Sequence, residues 1–138
     1  NAVFGGEHSA HYYFRDFWFA DSGILAAMHV LAEFGAQARP LSELTQRYSP
    51  YALSGEINST VADVAAATNR VRAAFATRGT EDDLDGLTIT GTTAPGEPFW
   101  WFSVRPSNTE PLLRLNVEAA DAPTMERIRD EVLALIRA

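Results

Sequence analysis

The chain has 138 residues and a formal net charge of −7, from 11 basic and 18 acidic side chains. This length suits one ordinary domain, or one small domain with a piece of another attached. The negative charge opposes general attraction to nucleic acid or to an anionic membrane. Every basic residue is an arginine and cysteine is absent, which excludes lysine-based catalysis, disulfide scaffolds and thiolate metal sites. Any anion must therefore be bound locally.

The first residues have no feature of a signal peptide or a tag. The sequence starts at Asn1 rather than at methionine, so we expect it to begin inside a larger protein. The longest apolar runs are far shorter than the roughly 20 residues that a membrane helix needs, so we expect no membrane span.

The first 50 residues are rich in aromatic side chains. Residues 2–4 are typical of the end of a buried strand, and Gly5-Gly6 predicts a turn after it. Asp21 or Ser22 can cap a following helix, because either side chain can accept from the unpaired amides of its first turn.

That helix has apolar residues at three- and four-residue steps, and Gly35 is expected to end it. Residues 40–44 predict a second, short helix with proline in its first turn. The helical pattern breaks after residue 48. We therefore assign residues 1–48 to one region and residues 49–55 to a hinge or linker.

From residue 56 onward, strand and helix patterns alternate. Residues 56–60 predict a strand, Asp63 can cap a helix whose end is followed by Gly79, and residues 85–86 predict a turn. Residues 87–90 and 99–104 are interpreted as a hairpin. In the next predicted strand, residues 113–118, apolar and polar side chains alternate.

A final helix is predicted from about residue 123 to residue 137, with proline in its first turn. The order is therefore β-α-β-β-β-α over residues 56–138. This order predicts an α+β domain in which both helices cover one face of an antiparallel or mixed sheet.

The segment 105–111 carries the strongest chemical signal. It places Arg105, Ser107, Asn108 and Thr109 in a loop between predicted strands, and Pro106 and Pro111 restrict that loop. An arginine fork, hydroxyl groups and exposed amides are the groups that bind a phosphate dianion. The alternative is a polar turn whose side chains bond their own backbone. Arg114, on the following strand, is either a second cation or an ordinary exposed residue.

The segment 5–11 is the second candidate. In extended geometry, Glu7, Ser9 and His11 share one side of the chain. A carboxylate and a hydroxyl suit vicinal sugar hydroxyls, and an imidazole suits proton transfer near neutral pH. The alternatives are a hydrogen-bonded loop or a zinc site, the latter disfavoured because no partner motif is present. The acidic run at residues 81–86 lacks the spacing of a calcium loop, so we interpret it as a solvated turn.

These two segments resemble two loops of one enzyme family. Gly6-Glu7-His8-Ser9-Ala10-His11 resembles the sugar-recognition loop of the α-D-phosphohexomutases, and residues 105–111 resemble their C-terminal phosphate-binding loop. Further similarity at residues 20–24 and 116–119 extends the resemblance over nearly the whole chain. It is strongest to the bacterial phosphomannomutase/phosphoglucomutase group.

The resemblance implies an end piece of an α/β third domain, a hinge and a fourth domain with a TATA-binding-protein-like arrangement. It implies that Glu7 and Ser9 contact sugar hydroxyls and that His11 binds substrate and is a candidate for proton transfer. It also implies that Arg105, Ser107, Asn108 and Thr109 bind the substrate's phosphate. The common glycine before the histidine is here Ala10, which restricts the backbone more.

The family's phosphoserine motif and its aspartate-rich magnesium loop have no counterpart in this sequence. The resemblance therefore implies that Mg²⁺ and the phosphoryl carrier are held outside this chain and that the chain alone is inactive. The expected partners are a phosphosugar and the N-terminal domains of the same cytoplasmic enzyme, with no nucleic acid and no membrane. The expected reaction interconverts mannose 6-phosphate and mannose 1-phosphate. Glucose phosphates are a further expected pair of substrates. The rivals are a phosphoglucosamine mutase and a stand-alone, non-catalytic anion-binding module.

Overall fold

The computed structural model describes residues 2–7, 9–91, 95–108 and 110–138. The chain forms two compact units, residues 1–48 and residues 49–138. Across the described ranges, no helix has the length and apolarity needed to cross a membrane.

The first unit is a small antiparallel sheet followed by two helices. The strands pair in chain order and a turn of 3₁₀ helix at Arg15–Phe17 separates the second from the third. The elements are β1 (Phe4–Gly6), β2 (Tyr12–Phe14), β3 (Ala20–Asp21), α1 (Gly23–Gly35) and α2 (Leu41–Arg47). In this sheet Tyr13 lies opposite Gly5 on one side and Asp21 on the other.

The start of the first unit differs from the sequence prediction. Gly5 and Gly6 belong to β1 and pair with Tyr13 and Tyr12, so the predicted glycine turn was wrong. The predicted burial was also wrong, because Phe4 is 52% exposed. The physical reason is that the short hairpin leaves one apolar face of this small unit uncovered.

The structure also shows which residues end α1, for which the sequence offered two N-terminal caps and one C-terminal glycine. Of the two candidate caps, Ser22 is used, because its hydroxyl accepts from the amide of Leu25 at 3.2 Å. Gly35 is the last residue of the helix rather than its stop signal, and the cap residue Ala36 keeps a right-handed conformation. A left-handed glycine cap was therefore not needed at this end.

The second unit is built on one antiparallel sheet with two helices. Its strand order is β4-β9-β8-β7-β6, and β5 also pairs with β9. The elements are β4 (Ala52–Leu53), β5 (Ile57–Thr60), α3 (Val64–Phe75), β6 (Gly79–Asp82), β7 (Leu87–Gly91), β8 (Trp100–Pro106), β9 (Leu112–Ala119) and α4 (Ala122–Ile136). This architecture confirms the predicted α+β class.

The core of the second unit lies between the two helices and one face of the sheet. Alternate residues of β7, β8 and β9 are buried and pack with apolar residues of α3 and α4. Phe75 of α3 makes edge contacts with the rings of Trp100 and Phe102. On β8 and β9 the intervening side chains, which include Arg105 and Arg114, are only partly buried. One face of the sheet therefore packs in the core, and the side chains of the other face remain partly exposed.

The sequence missed two short strands of this unit. β6 occupies residues that were assigned to the helix end and to the acidic turn. β4 lies within the segment assigned to the hinge, and its Ala52 and Leu53 pair with Ala119 and Glu118 of β9. Strands of two to four residues carry too few side chains for an alternating pattern, so their formation depends on pairing with a longer strand.

The longer elements agree with the sequence prediction. β7 and β8 form the predicted antiparallel hairpin, although residues 92–94 of its loop lie outside the described residues. Asp63 caps α3 by accepting from the amide of Ala66 at 2.9 Å. In β9, Leu113, Leu115 and Val117 are buried as the alternation predicted.

Candidate functional site

The turn between β8 and β9 brings together most of the predicted phosphate-binding residues. Arg105 lies near the end of β8, and Ser107 and Asn108 follow it. The amide of Ser107 donates to the carbonyl of Leu112 at 2.9 Å, which closes the turn. The predicted Thr109 lies outside the described residues. A pocket of about 420 Å³ is lined by Asp85, Gly86, Arg105, Pro106, Ser107, Asn108 and Arg114.

Two arginines of this pocket lie opposite each other on neighbouring strands of the sheet. Arg105 and Arg114 are directly opposed in the β8–β9 ladder, a placement that is unfavourable for like charges. Within the described ranges, the buried Nε of Arg114 has no hydrogen-bond partner, and it is 4.0 Å from Oε1 of Glu56. A bound anion would offset the repulsion between the two guanidinium groups. Arg114, which the sequence left open, thus belongs to the pocket.

Arg105 already holds one carboxylate. Its Nη1 donates to Oδ2 of Asp85 at 3.0 Å, and the Asp85 side chain is 76% exposed. Asp85 comes from the acidic run that was interpreted only as a solvated turn. An incoming phosphate must compete with this carboxylate for Arg105.

The turn from β1 to β2 holds the second set of predicted residues. The amide of Glu7 donates to the carbonyl of His11 at 2.9 Å, and the amide of Ala10 donates to the carbonyl of Glu7 at 3.0 Å. Ala10 has a φ of 66°, a left-handed conformation that costs a residue with a Cβ roughly 1–2 kcal/mol. His8 lies outside the described residues.

Glu7 is the centre of a hydrogen-bonded group in this turn. Its Oε1 accepts from the hydroxyl of Tyr13 at 2.7 Å, and its Oε2 accepts from the hydroxyl of Ser9 at 3.0 Å. These two bonds, with that from Tyr13 the larger cause, lower the pKa of Glu7. The bond to Glu7 raises the pKa of Tyr13. Glu7 is therefore an ionised acceptor at neutral pH, which suits a sugar hydroxyl.

His11 is bonded to an acidic residue of the neighbouring strand. Its Nδ1 lies 2.6 Å from Oδ2 of Asp21, and the other oxygen of Asp21 accepts from the amide of Tyr12 at 2.8 Å. The hydrogen bond to Asp21, reinforced by its charge, raises the pKa of His11. The same hydrogen bond is the main cause of the lowered pKa of Asp21.

Comparison with protein families identifies the chain. The profile described as "Phosphoglucomutase/phosphomannomutase, C-terminal domain" matches residues 56–135, more than half of the sequence. The chain belongs to the phosphoglucomutase/phosphomannomutase family. The profile described as "alpha/beta/alpha domain III" of the same family matches residues 1–51. The predicted resemblance to the C-terminal portion of an α-D-phosphohexomutase is thereby confirmed.

Curated members of the phosphoglucomutase/phosphomannomutase family are similar along this whole chain. A phosphomannomutase of Salmonella montevideo is 42% identical and one of Methanocaldococcus jannaschii is 39% identical, each over 99% of the chain. A protein of Xanthomonas campestris named "Phosphohexose mutases" is 42% identical over the same share. The chain spans only 29%, 29% and 30% of these three relatives.

A solved structure shows the same fold. It is the crystal structure of a phosphoglucomutase/phosphomannomutase family protein from Burkholderia thailandensis, with a TM-score of 0.73 at 24% identity. The match covers 99% of this chain and 28% of that one.

Three contacts of this family member were not found from the sequence. Tyr13 was interpreted as part of an aromatic run, Asp21 as a helix cap and Asp85 as a turn residue. Their partners are 6, 10 and 20 residues away in sequence. No local sequence pattern predicts such pairs, because they depend on the register of β2 with β1 and β3 and on how the turn before β7 approaches β8.

Proposed function

We propose that this chain forms the phosphosugar-binding part of a hexose phosphomutase that interconverts mannose 6-phosphate and mannose 1-phosphate. The observation that carries the proposal is the opposed pair Arg105 and Arg114 beside a donor-rich turn. The similarity to curated phosphomannomutases supports the choice of mannose phosphates. Glucose phosphates are a second expected substrate pair.

The second unit is assigned the phosphate that does not react. Arg105 supplies a charge-assisted fork, and Arg114 supplies a second positive charge at the same pocket. The side chains of Ser107 and Asn108 add directed donors at the edge of the same pocket. Thr109 keeps the role given to it by the resemblance.

The first unit is assigned the sugar. Glu7 is held in place by Tyr13 and Ser9, and its ionised carboxylate can accept from sugar hydroxyls. The hydroxyl of Ser9 can both accept and donate. His11 is assigned the proton transfer at the hydroxyl that gains or loses the phosphoryl group.

The remaining parts of the reaction are assigned to other domains of the enzyme. We propose that they supply the phosphoserine and Mg²⁺, because the chain spans only 29% of the curated phosphomannomutases that it matches. This chain then contributes by positioning the phosphosugar, which is a large part of catalysis in phosphoryl transfer. It is expected to be inactive when alone.

Titration of the chain by NMR tests the phosphate assignment. Mannose 1-phosphate and inorganic phosphate should shift the amides of Arg105, Ser107, Asn108 and Arg114, with a dissociation constant on the order of 1 mM, or about 4 kcal/mol. Mannose without phosphate should leave these amides unchanged. Unmoved amides at phosphate concentrations on the order of tens of millimolar would show the assignment to be wrong.

Turnover by the full-length protein tests the substrate. Mannose 1-phosphate should be converted with a higher kcat/KM than glucosamine 1-phosphate. The opposite ranking would favour the rival phosphoglucosamine mutase. Absence of any mutase activity would favour the stand-alone anion-binding module.

A further inference from the structure

We infer that Asp21 is a positioning residue that fixes which ring nitrogen of His11 accepts a proton. No sequence motif assigned this role to Asp21, which was considered only as a helix cap. The inference rests on the proposed function in one respect, because it takes His11 as the group that transfers the proton. The contact between the two side chains stands without that assumption.

The distance between the two groups determines the state of the ring. His11 Nδ1 is 2.6 Å from Asp21 Oδ2, a strong hydrogen bond. An ionised carboxylate can only accept, so Nδ1 must carry the hydrogen. In the neutral ring the lone pair is then on Nε2. Asp21 therefore selects Nε2 as the basic nitrogen.

The hairpin of β2 and β3 holds Asp21 in this position. Asp21 lies directly opposite Tyr13 in the ladder, and its Oδ1 accepts from the amide of Tyr12 at 2.8 Å. Both oxygens are thus engaged, one by backbone and one by His11. The carboxylate cannot rotate away without losing a backbone hydrogen bond.

The role of helix cap does not compete with this contact. Ser22 accepts from the amide of Leu25 at 3.2 Å and so caps α1 by itself. A cap contributed by Asp21 would draw its carboxylate toward the helix start. The neighbouring serine thus leaves Asp21 available to His11.

Two carboxylates act on the imidazole. Asp21 contacts it directly, and Glu7 acts through its charge. Both raise the pKa of His11 above its ordinary value, and Asp21 has the larger effect. When Nε2 takes a proton from a sugar hydroxyl, the ring becomes a cation that these carboxylates stabilise. The same proton leaves from Nε2 in the reverse step, and the hydrogen on Nδ1 stays bonded to Asp21 throughout.

Nitrogen-15 NMR of the wild-type chain is the first test. Above the pKa of His11, the ring should show the Nδ1–H form, and its midpoint of titration should lie above about 6.5. A neutral ring that carries its hydrogen on Nε2 would overturn the inference. This measurement needs no variant and so does not depend on how any substitution affects folding.

Asp21→Asn is the second test, and Asp16→Asn is the matched control. Asp16 lies in the same unit and is paired with Arg15 at 3.1 Å. Asp21→Asn should lower the pKa of His11 toward its ordinary value and reduce the share of the Nδ1–H form. Asp16→Asn should change neither. Equal pKa values for His11 in wild type and Asp21→Asn would contradict the inference.

Kinetics of the full-length protein separate this inference from the proposed function. Asp21→Asn should lower kcat on the order of 10²-fold, the low end of what general acid–base catalysis contributes, and leave KM nearly unchanged. The acidic limb of the kcat profile should move to lower pH. In a His11→Ala background the same substitution should have no further effect. If the NMR results hold and the protein has no mutase activity, only the proposed function fails.

Discussion

Arg105 and Arg114 oppose each other directly across β8 and β9, and Asp85 bonds to the first of them at 3.0 Å. Two like charges at adjacent strand positions weaken a sheet by a few tenths of a kcal/mol to about 1 kcal/mol. Binding sites tolerate such a local loss of stability, because a ligand of opposite charge removes the repulsion. The chain is acidic overall, yet it concentrates positive charge at this point.

Loss of either arginine should weaken phosphate binding. Arg105→Gln and Arg114→Gln should each lower affinity by about 1.5–3 kcal/mol, the strength of a hydrogen bond to a charged group. Arg114→Gln should change the free energy of unfolding little, because loss of the repulsion offsets loss of the ion pair with Glu56. NMR titration and urea unfolding measure the two quantities. Arg129→Gln is the control, because Arg129 of α4 pairs with Asp130 and does not line the pocket. It should bind phosphate normally, and equal weakening there would point to a general charge effect.

Loss of the competing carboxylate should strengthen phosphate binding. Asp85→Asn frees Arg105 from an exposed ion pair, which is worth about 0.2–1 kcal/mol. A roughly two- to fivefold lower dissociation constant for inorganic phosphate is expected. Asp83→Asn provides the comparison, because Asp83 belongs to the same acidic run but pairs with Arg72. Unchanged affinity in Asp85→Asn would mean that the Arg105–Asp85 contact does not form in solution.

Gly86 allows the turn before β7 to approach β8 closely. Its φ is +80°, and an added Cβ would lie 2.7 Å from the carbonyl oxygen of Val104 and 3.0 Å from Cα of Arg105. Gly86→Ala should therefore lower the free energy of unfolding by roughly 1–3 kcal/mol and weaken phosphate binding. Gly55 has a φ of +66° with nothing within 4 Å of an added Cβ, so Gly55→Ala should cost less. Urea unfolding compares them, and equal losses would exclude the steric argument.

The cap of α4 should make stability depend on pH in the acidic range. Asp121 accepts from the amide of Thr124 at 2.8 Å, and this bond is the main cause of its lowered pKa. The stabilisation is therefore present above the unfolded value near 3.9 and is lost as pH falls through the lower folded value. Asp121→Asn keeps an acceptor without titrating. The advantage of wild type over this variant in urea unfolding should shrink below about pH 4; a constant difference would argue against the linkage.

Long periodic elements could be predicted from the sequence, and the short strands β4 and β6 could not. The alternation of Leu113, Leu115 and Val117 predicted β9, because burial on one face of a sheet requires it. The two residues of β4 have no such pattern. Their pairing with β9 depends on a contact some 65 residues away in sequence, between Leu53 and Glu118.

The residues of the candidate site also divide into those that the sequence predicts and those that only the structure brings together. Arg105, Ser107 and Asn108 are close in sequence, so the sequence alone indicates that they form one group. The partners of Arg105 and His11 leave no such signal, because sheet register and turn approach place Asp85 and Asp21 beside them. The sequence thus predicted which residues bind the substrate, and the structure showed which side chains contact them.

The seven residue pairs of the β8–β9 ladder have a consequence for how this family can diversify. One face of these strands packs in the core, and the turn that joins them carries the residues proposed to bind phosphate. Substitutions on the open face and in the turn can therefore alter ligand choice without repacking Phe102, Leu113 or Leu115. Single substitutions at these positions can therefore change which sugar phosphate is preferred while the protein still folds.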